Sequence, residues 1–299
     1  MLHLLNGDAT AVVFPASLPG ERDVWRDIMV EGPAVADGAV RAAWLAPRLG
    51  VTPATYEARW REGEATLARA SVHDEVILWF EQDLFCAVNL WFVLERLPAA
   101  TAISLVFPAL GPDFAGLGTL APDAFGPLFE QRTRLEARAR AEARALWQAY
   151  AASEPTGFPR ATGQLPFTRT AVRLHLGRFP STTHGLDDTE LSTLHALGIG
   201  PRTFGELFAT VVRRDLAQYG MGDVQYAAAL RDLEPLVAID DASRPFADWR
   251  LSLTATGDDV LGERLDGLAP RAIDRWLGGV HLRPGGRMWR WDGSRVLRE

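Results

Sequence analysis

Two carboxylates stand two residues apart, Glu81 and Asp83, directly after the apolar run Val76 to Phe80. Carboxylates held close together have separated pKa values, so one can serve as an acid while the other serves as a base. Other groups suited to polar chemistry accompany two more apolar runs. Asn6, Gly7, Asp8 and Thr10 come after Met1 to Leu5, and Arg26 and Glu31 belong to the stretch Asp23 to Val30 and its end. A guanidinium in the same crevice can hold a phosphate or a carboxylate through paired hydrogen bonds. Small and polar residues after a first strand suit a tight turn whose N–H groups can meet an anion, and they equally suit a plain capped turn. The expectation is a site with Glu81, Asp83 and Asp8 in catalytic roles and Asn6, Gly7, Thr10, Arg26 and Glu31 in ligand-binding roles. The competing reading is an ion-pair network that only fixes the edge of a sheet.

The elements that must position these residues are those of an α/β domain. An unbroken apolar run such as Val76 to Phe80 reads as a strand buried on both faces, the habit of parallel strands covered by helices. Met1 to Leu5, Asp23 to Val30 and Ile103 to Phe107 read as further strands, the last ended by Pro108 and the loop Gly111-Pro112-Asp113. Thr52-Pro53 opens a helix that runs to about Ala70, and Leu84 to Leu97 forms an apolar one. The pattern predicts a mainly parallel sheet flanked by helices over residues 1–124, with ligands taken in the crevice beyond the carboxyl ends of its strands. Residues 125–180 read as a long helix up to Ala152, a linker over Ser153 to Gln164 and a connecting helix over Phe167 to Phe179. Residues 181–270 hold a capped helix at Asp187-Asp188-Thr189-Glu190, a second from Thr203-Phe204-Gly205-Glu206, and a third near Asp223 to Leu233. Strands at Leu236 to Ile239 and Trp249 to Thr254 follow, then a helix over Thr256 to Leu265; this is the order of an all-α, winged-helix-like domain. Residues 271–299 form a tail with a β-hairpin.

Composition excludes several chemistries. The 31 cationic residues are all Arg, so Schiff-base and P-loop lysine mechanisms are ruled out. Cys86 is the only cysteine, which leaves no internal disulfide and no thiol metal cluster; on an apolar helix it reads as a small core residue. Asp8, Glu81 and Asp83 can offer oxygen ligands, yet no His-x-x-x-His or Asp-x-Asp pattern supports them, so no metal is assigned and the cofactor stays unknown. The first residues lack a basic n-region, and no apolar stretch approaches the roughly 18 residues of a membrane span, which places the chain in the cytoplasm away from membranes. Net charge is −7, and residues 181–270 carry 7 Arg against 15 acidic residues. Nucleic-acid affinity rests on neutralising phosphates with cations, so this sign argues against DNA as a partner. Arg275 and His281 become ligand candidates if the tail folds back on the first domain. The ten Trp can supply an aromatic surface for a protein partner or, alternatively, core and seams; a homodimer is compatible with either.

His3-Leu4-Leu5-Asn6-Gly7-Asp8-Ala9-Thr10, Val24-Trp25-Arg26-Asp27 and Glu31-Gly32-Pro33 together resemble a bacterial family known by number, domain of unknown function 1835. Leu78-Trp79-Phe80-Glu81-Gln82-Asp83-Leu84 is similar to that family's Trp-Phe-Glu-His-Asp-Leu motif, with Gln82 in place of the His. Phe179-Pro180-Ser181, Thr189-Glu190, Met221-Gly222-Asp223 and Arg275-Trp276-Leu277-Gly278-Gly279-Val280-His281-Leu282 resemble its companion C-terminal region. The resemblance spans nearly the whole chain and implies no activity. If the usual His is a base or a metal ligand, this chain lacks it. The reading is therefore an enzyme or sensor that binds a small polar or anionic ligand, such as a nucleotide or phosphorylated compound, at the carboxyl ends of the N-terminal strands. The alternatives are a winged-helix transcriptional regulator and a non-catalytic partner-binding protein.

Overall fold

The computed structural model describes residues 1–111 and 114–299. The chain divides into two compact units, Met1–Ala152 with Gly157–Ala171, and Ser153–Thr156 with Val172–Glu299.

The first unit is the expected α/β sheet. In chain order it contains β1 (Leu2–Asn6), α1 (Asp8–Val13), β2 (Glu21–Trp25), α2 (Gly38–Arg48), α3 (Pro53–Arg69), β3 (Val76–Trp79), α4 (Leu84–Arg96), β4 (Ile103–Val106), α5 (Phe125–Glu130), β5 (Thr133–Arg134) and α6 (Ala137–Tyr150). The strand order is β2-β1-β3-β4-β5; the first three pairings are parallel and β4–β5 is antiparallel. All four residues of β3 are buried, because both faces of the sheet are covered. Successive residues of a strand point to opposite faces. Leu5, Ile77 and Trp79 share one face with Phe14 after α1 and with Phe125 and Phe129 of α5. On the other, Trp25 meets Trp60 of α3 and Phe92 of α4, and Phe92 meets Trp147 of α6.

Three local expectations change. The second strand stops at Trp25 rather than running to Val30, and residues 26–36 leave the sheet. The helix expected over 125–152 breaks into α5 and α6, because Thr133 and Arg134 pair with Leu105 and Ser104 and so satisfy the open edge of β4. The connecting helix is shorter than expected, α7 (Thr168–Leu176), and the division between units falls within it. Of the loop expected after β4, Pro112 and Asp113 lie outside the described residues.

In the second unit, α8 (Asp188–Gly198) is followed by β6 (Arg202–Thr203), α9 (Phe204–Leu207), α10 (Asp223–Arg231), β7 (Val237–Ile239), β8 (Arg250–Leu253) and α11 (Ala255–Leu261). Both helix starts read from the sequence carry capping boxes, Asp187 with Glu190 and Thr203 with Glu206. α9 continues as a π-helix over Phe208–Asp215. The strands form an antiparallel sheet in the order β6-β8-β7, so the expected three helices and hairpin gain one short extra strand. Two hairpins complete the chain, β9 (Arg275–Leu277) with β10 (Val280–Leu282), and β11 (Trp289–Trp291) with β12 (Val296–Arg298). Trp249, fully buried, joins the core of the three-helix segment, and Trp289 joins that of the hairpins. Among the described residues no helix is long and apolar enough to cross a membrane.

Candidate functional site

The strand order places a topological switch point between β1 and β3. The chain leaves β1 toward α1 on one face and leaves β3 toward α4 on the other, so the loops separate there, at the position where open α/β sheets form their ligand crevice. Asn6 and Gly7 end one side of that crevice, and Glu81 and Asp83 end the other.

Asp83 is the N-cap of α4, where its Oδ1 accepts the Cys86 N–H at 2.6 Å. A cap of this kind can be made by Ser, Thr or Asn without burying a charge. Asp83 nevertheless is 4 % exposed. Burial pushes its carboxyl up to about 7; the Cys86 N–H pulls the other way, and the nearby Glu81 charge adds to the rise. Glu81 is likewise raised by burial, opposed by the N–H of Leu117 on its Oε1 at 2.5 Å. Gly116 makes that bond possible. Its φ of 129° suits glycine, and a β-carbon there would stand 3.1 Å from Glu81 Oε2.

Cys86 completes the cluster, one turn into α4 on the side facing Asn6. Glu81, Asp83 and Cys86 bring one donor atom each within 4.8 Å of one another, the one such group among the described residues. The third atom is a thiol rather than the Asp8 carboxylate considered from sequence, and only the two carboxyls offer the oxygen donors that a hard divalent cation takes. Asn6 Nδ2 donates to Cys86 Sγ at 3.0 Å. Asn89, fully buried one turn further along α4, donates to Asn6 Oδ1 at 2.8 Å and to the Asp27 carbonyl at 3.0 Å, and accepts the Met29 N–H at 2.9 Å. The Cys86 thiol is pushed well up, by burial first and then by the two carboxyls, so it stays protonated and enters as a neutral group. Gln82 donates to the Phe107 carbonyl at 2.9 Å and ties the end of β3 to the chain after β4.

The other expected residues have partners of their own. Asp8 and Arg26 form an ion pair at 2.8 Å across the ends of β1 and β2, with side chains 66 % and 40 % exposed. Gly7, at φ 94°, gives its N–H to the Trp25 carbonyl and extends the β1–β2 ladder, so that N–H is committed to the sheet. Thr10 is buried within α1. Glu31 contributes its carbonyl to Arg41 at 3.2 Å. Arg275 and His281 belong to the second unit. Arg275 pairs there with Asp187 and Glu190, and Arg271 also pairs with Glu190. Burial opposes the Glu190 charge, yet Arg275 and Arg271 overcome it and hold that carboxyl below its usual range. His281 stacks on Trp276 at 4.3 Å and meets Asp274 at 2.6 Å.

Sequence reasoning passed over three contributors. Cys86 read as filler and Asn89 as part of an apolar helix, although an Asn one turn after a lone Cys on such a helix is a legible signal. Arg41 had no distinguishing mark in a helix that otherwise looks amphipathic. It is 0 % exposed, and it binds the Asp27 carboxylate at 2.6 Å, the Tyr56 hydroxyl at 3.2 Å and the carbonyls of Pro33, Ile28 and Glu31. Burial works against its charge, but Asp27 more than restores it. Arg41 moulds the segment after β2, and Arg26 is left at its rim. The chain matches no family model, no curated protein and no solved structure.

Proposed function

We propose that the first unit is an enzyme or sensor for a small polar, anionic ligand, and that the ligand exchanges a proton with the Glu81–Asp83 pair at the switch point. The observation that carries this reading is Asp83: a carboxyl buried at the crevice, beside a second carboxyl, poised near neutrality where an uncharged cap would serve the helix as well. General acid–base groups work best with a pKa near the operating pH, and burial is how a carboxyl reaches it. Asn6, held by Asn89 and bonded to Cys86, fixes the opposite wall of the crevice. Membership of domain-of-unknown-function family 1835 and a cytoplasmic location are part of the same proposal.

A winged-helix reading of the second unit is favoured by one observation, the order helix, strand, two helices, two strands. We read it as a packing module rather than a DNA reader. Arg231 of α10 lies over Trp249 at 4.5 Å, and the β7–β8 loop carries Asp240, Asp241 and Asp248.

The test is a thermal-shift screen of the full chain against nucleotides, sugar phosphates and carboxylates, with and without Mg²⁺ or Mn²⁺. A ligand at 100 times its dissociation constant adds about 2.7 kcal/mol to stability. Asp83→Asn should keep the fold and lose turnover, or, for a sensor, lose the pH dependence of binding near neutrality. A variant that keeps both properties refutes the assignment.

A further inference from the structure

Beyond the carboxyl pair, an open feature of the first unit lies at the end of β2. A groove of about 660 Å³ is lined by Arg26 and by Ala54, Thr55, Ala58, Arg59 and Glu62 of α3. These α3 positions recur at helical spacing, so they form one stripe along the helix. Two alanines in that stripe leave room that longer side chains would fill. The same two arginines also line a narrower cleft of about 40 Å³ with Trp25, Tyr56 and Trp60, too small for anything but water-sized groups. The groove, not the cleft, has space for a ligand group.

Its charge is unbalanced in a specific way. Arg59 is exposed and has neither an ion pair nor a hydrogen bond among the described residues. Arg26 spends only its Nε, on one oxygen of an exposed Asp8. Glu62 in the stripe and Asp8 at the rim are the carboxylates that an incoming anion must outcompete. One guanidinium satisfies both oxygens of a carboxylate side by side. Two guanidinia from different elements, one beyond a strand end and one on a helix, instead suit a group with three oxygens pointing in different directions and more than one negative charge.

We infer that the Arg26–Arg59 groove is the anchoring subsite for a terminal phosphate, and hence that the ligand is a small phosphomonoester. β2 and β3 are separated by β1 alone, so the end of β2 stands two strand spacings, roughly 10 Å, from the end of β3. A phosphate at Arg26 and Arg59 therefore leaves a short organic body to reach across Asn6 toward Asp83. This second half rests on the proton-exchange reading; the phosphate subsite does not.

The experiment is calorimetric titration of the full chain with inorganic phosphate and with glycerol 3-phosphate at constant ionic strength. Arg26→Met, Arg59→Met and Arg48→Met are compared, the last an exposed arginine that stacks on Trp44 and serves as a charge-matched control. Losing a hydrogen bond to a charged group should weaken both probes about tenfold in R26M and in R59M. R48M should bind as the parent does. Absence of phosphate binding to the parent, binding undiminished in R59M, or an equal loss in R48M each overturns the inference. A carboxyl titration of the parent by infrared spectroscopy separates the two ideas. Ordinary carboxyl values with phosphate bound sink only the proton-exchange reading, whereas an elevated Asp83 with no phosphate uptake sinks only the subsite.

Discussion

Replacing Asp83 with Asn isolates the ionisation of this side chain from everything else it does. Asn has nearly the same volume and an oxygen that can accept the Cys86 N–H, so the cap on α4 persists. Only the titration is lost. The carboxyl rises from 3.8 to about 7 on folding, a shift of roughly three units, and each unit is worth about 1.4 kcal/mol. A raised carboxyl contributes stability that is complete below the unfolded value of 3.8 and is lost as pH climbs through the folded value. Above neutrality the parent chain should therefore have given up roughly 4 kcal/mol relative to acid conditions, with about 2 to 3 kcal/mol of this between pH 5 and 8. D83N has nothing to give up, so its stability relative to the parent should increase by that amount over this interval. Hydrogen exchange at the amides of β3 and α4 reports on the first unit alone and reads the difference directly. Parallel pH profiles for the two proteins would refute the buried, neutral carboxyl and with it the acid–base role.

Further expectations follow from neighbouring groups. His3 is fully enclosed, accepting the Trp79 indole N–H on Nδ1 and donating from Nε2 to the Pro19 carbonyl, and burial lowers its pKa below 6.5. The unfolded chain takes this proton first, so stability should fall as pH drops below about 6.5. Nitrogen-detected NMR should find a neutral ring with the proton on Nε2 at pH 6, and a charged ring there contradicts the assignment. Arg41→Met leaves the Asp27 carboxylate buried without its cation and should cost roughly 3–5 kcal/mol, read by urea unfolding; a loss under about 1 kcal/mol would show that the Tyr56 hydroxyl and the Ile28 N–H suffice to hold Asp27. The second unit should show no salt-sensitive affinity for duplex DNA in fluorescence anisotropy at physiological ionic strength. Submicromolar binding there would restore the regulator reading.

The sheet was legible because its signal is local and strong. Val76 to Trp79 is apolar without interruption, and burial on both faces is what such a run demands. The carboxyl-end position of Glu81 and Asp83 followed from the same run. The end of β2 at Trp25, short of Val30, is not legible in Trp25-Arg26-Asp27, because a strand and a strand end look alike until the partner is known. In the fold Trp25 closes β2 and faces Trp60, Arg26 turns to the rim, and Asp27 is drawn inward by Arg41. The break between α5 and α6 was hidden for a related reason. Helix propensity continues through residues 131–136, and only the unpaired edge of β4, distant in sequence, makes extended backbone the better choice. Asn6 meets Cys86 and Asn89 across 80 and 83 residues of chain, a contact that no local pattern encodes.

The two edges of the five-stranded sheet bear on how copies of this chain behave at high concentration. One edge is β2, whose first three residues are Glu21, Arg22 and Asp23; the other is β5, which is two residues long and exposed. A second copy laid edge to edge against β2 in antiparallel register would set acid near acid at both ends, and β5 offers too few free backbone groups to hold a visitor. Charged and very short edges are how sheets avoid growing by strand addition. Growth of the five-stranded sheet by strand addition is thereby disfavoured at both of its edges, and association through the first unit is left to helices, loops or side-chain surfaces.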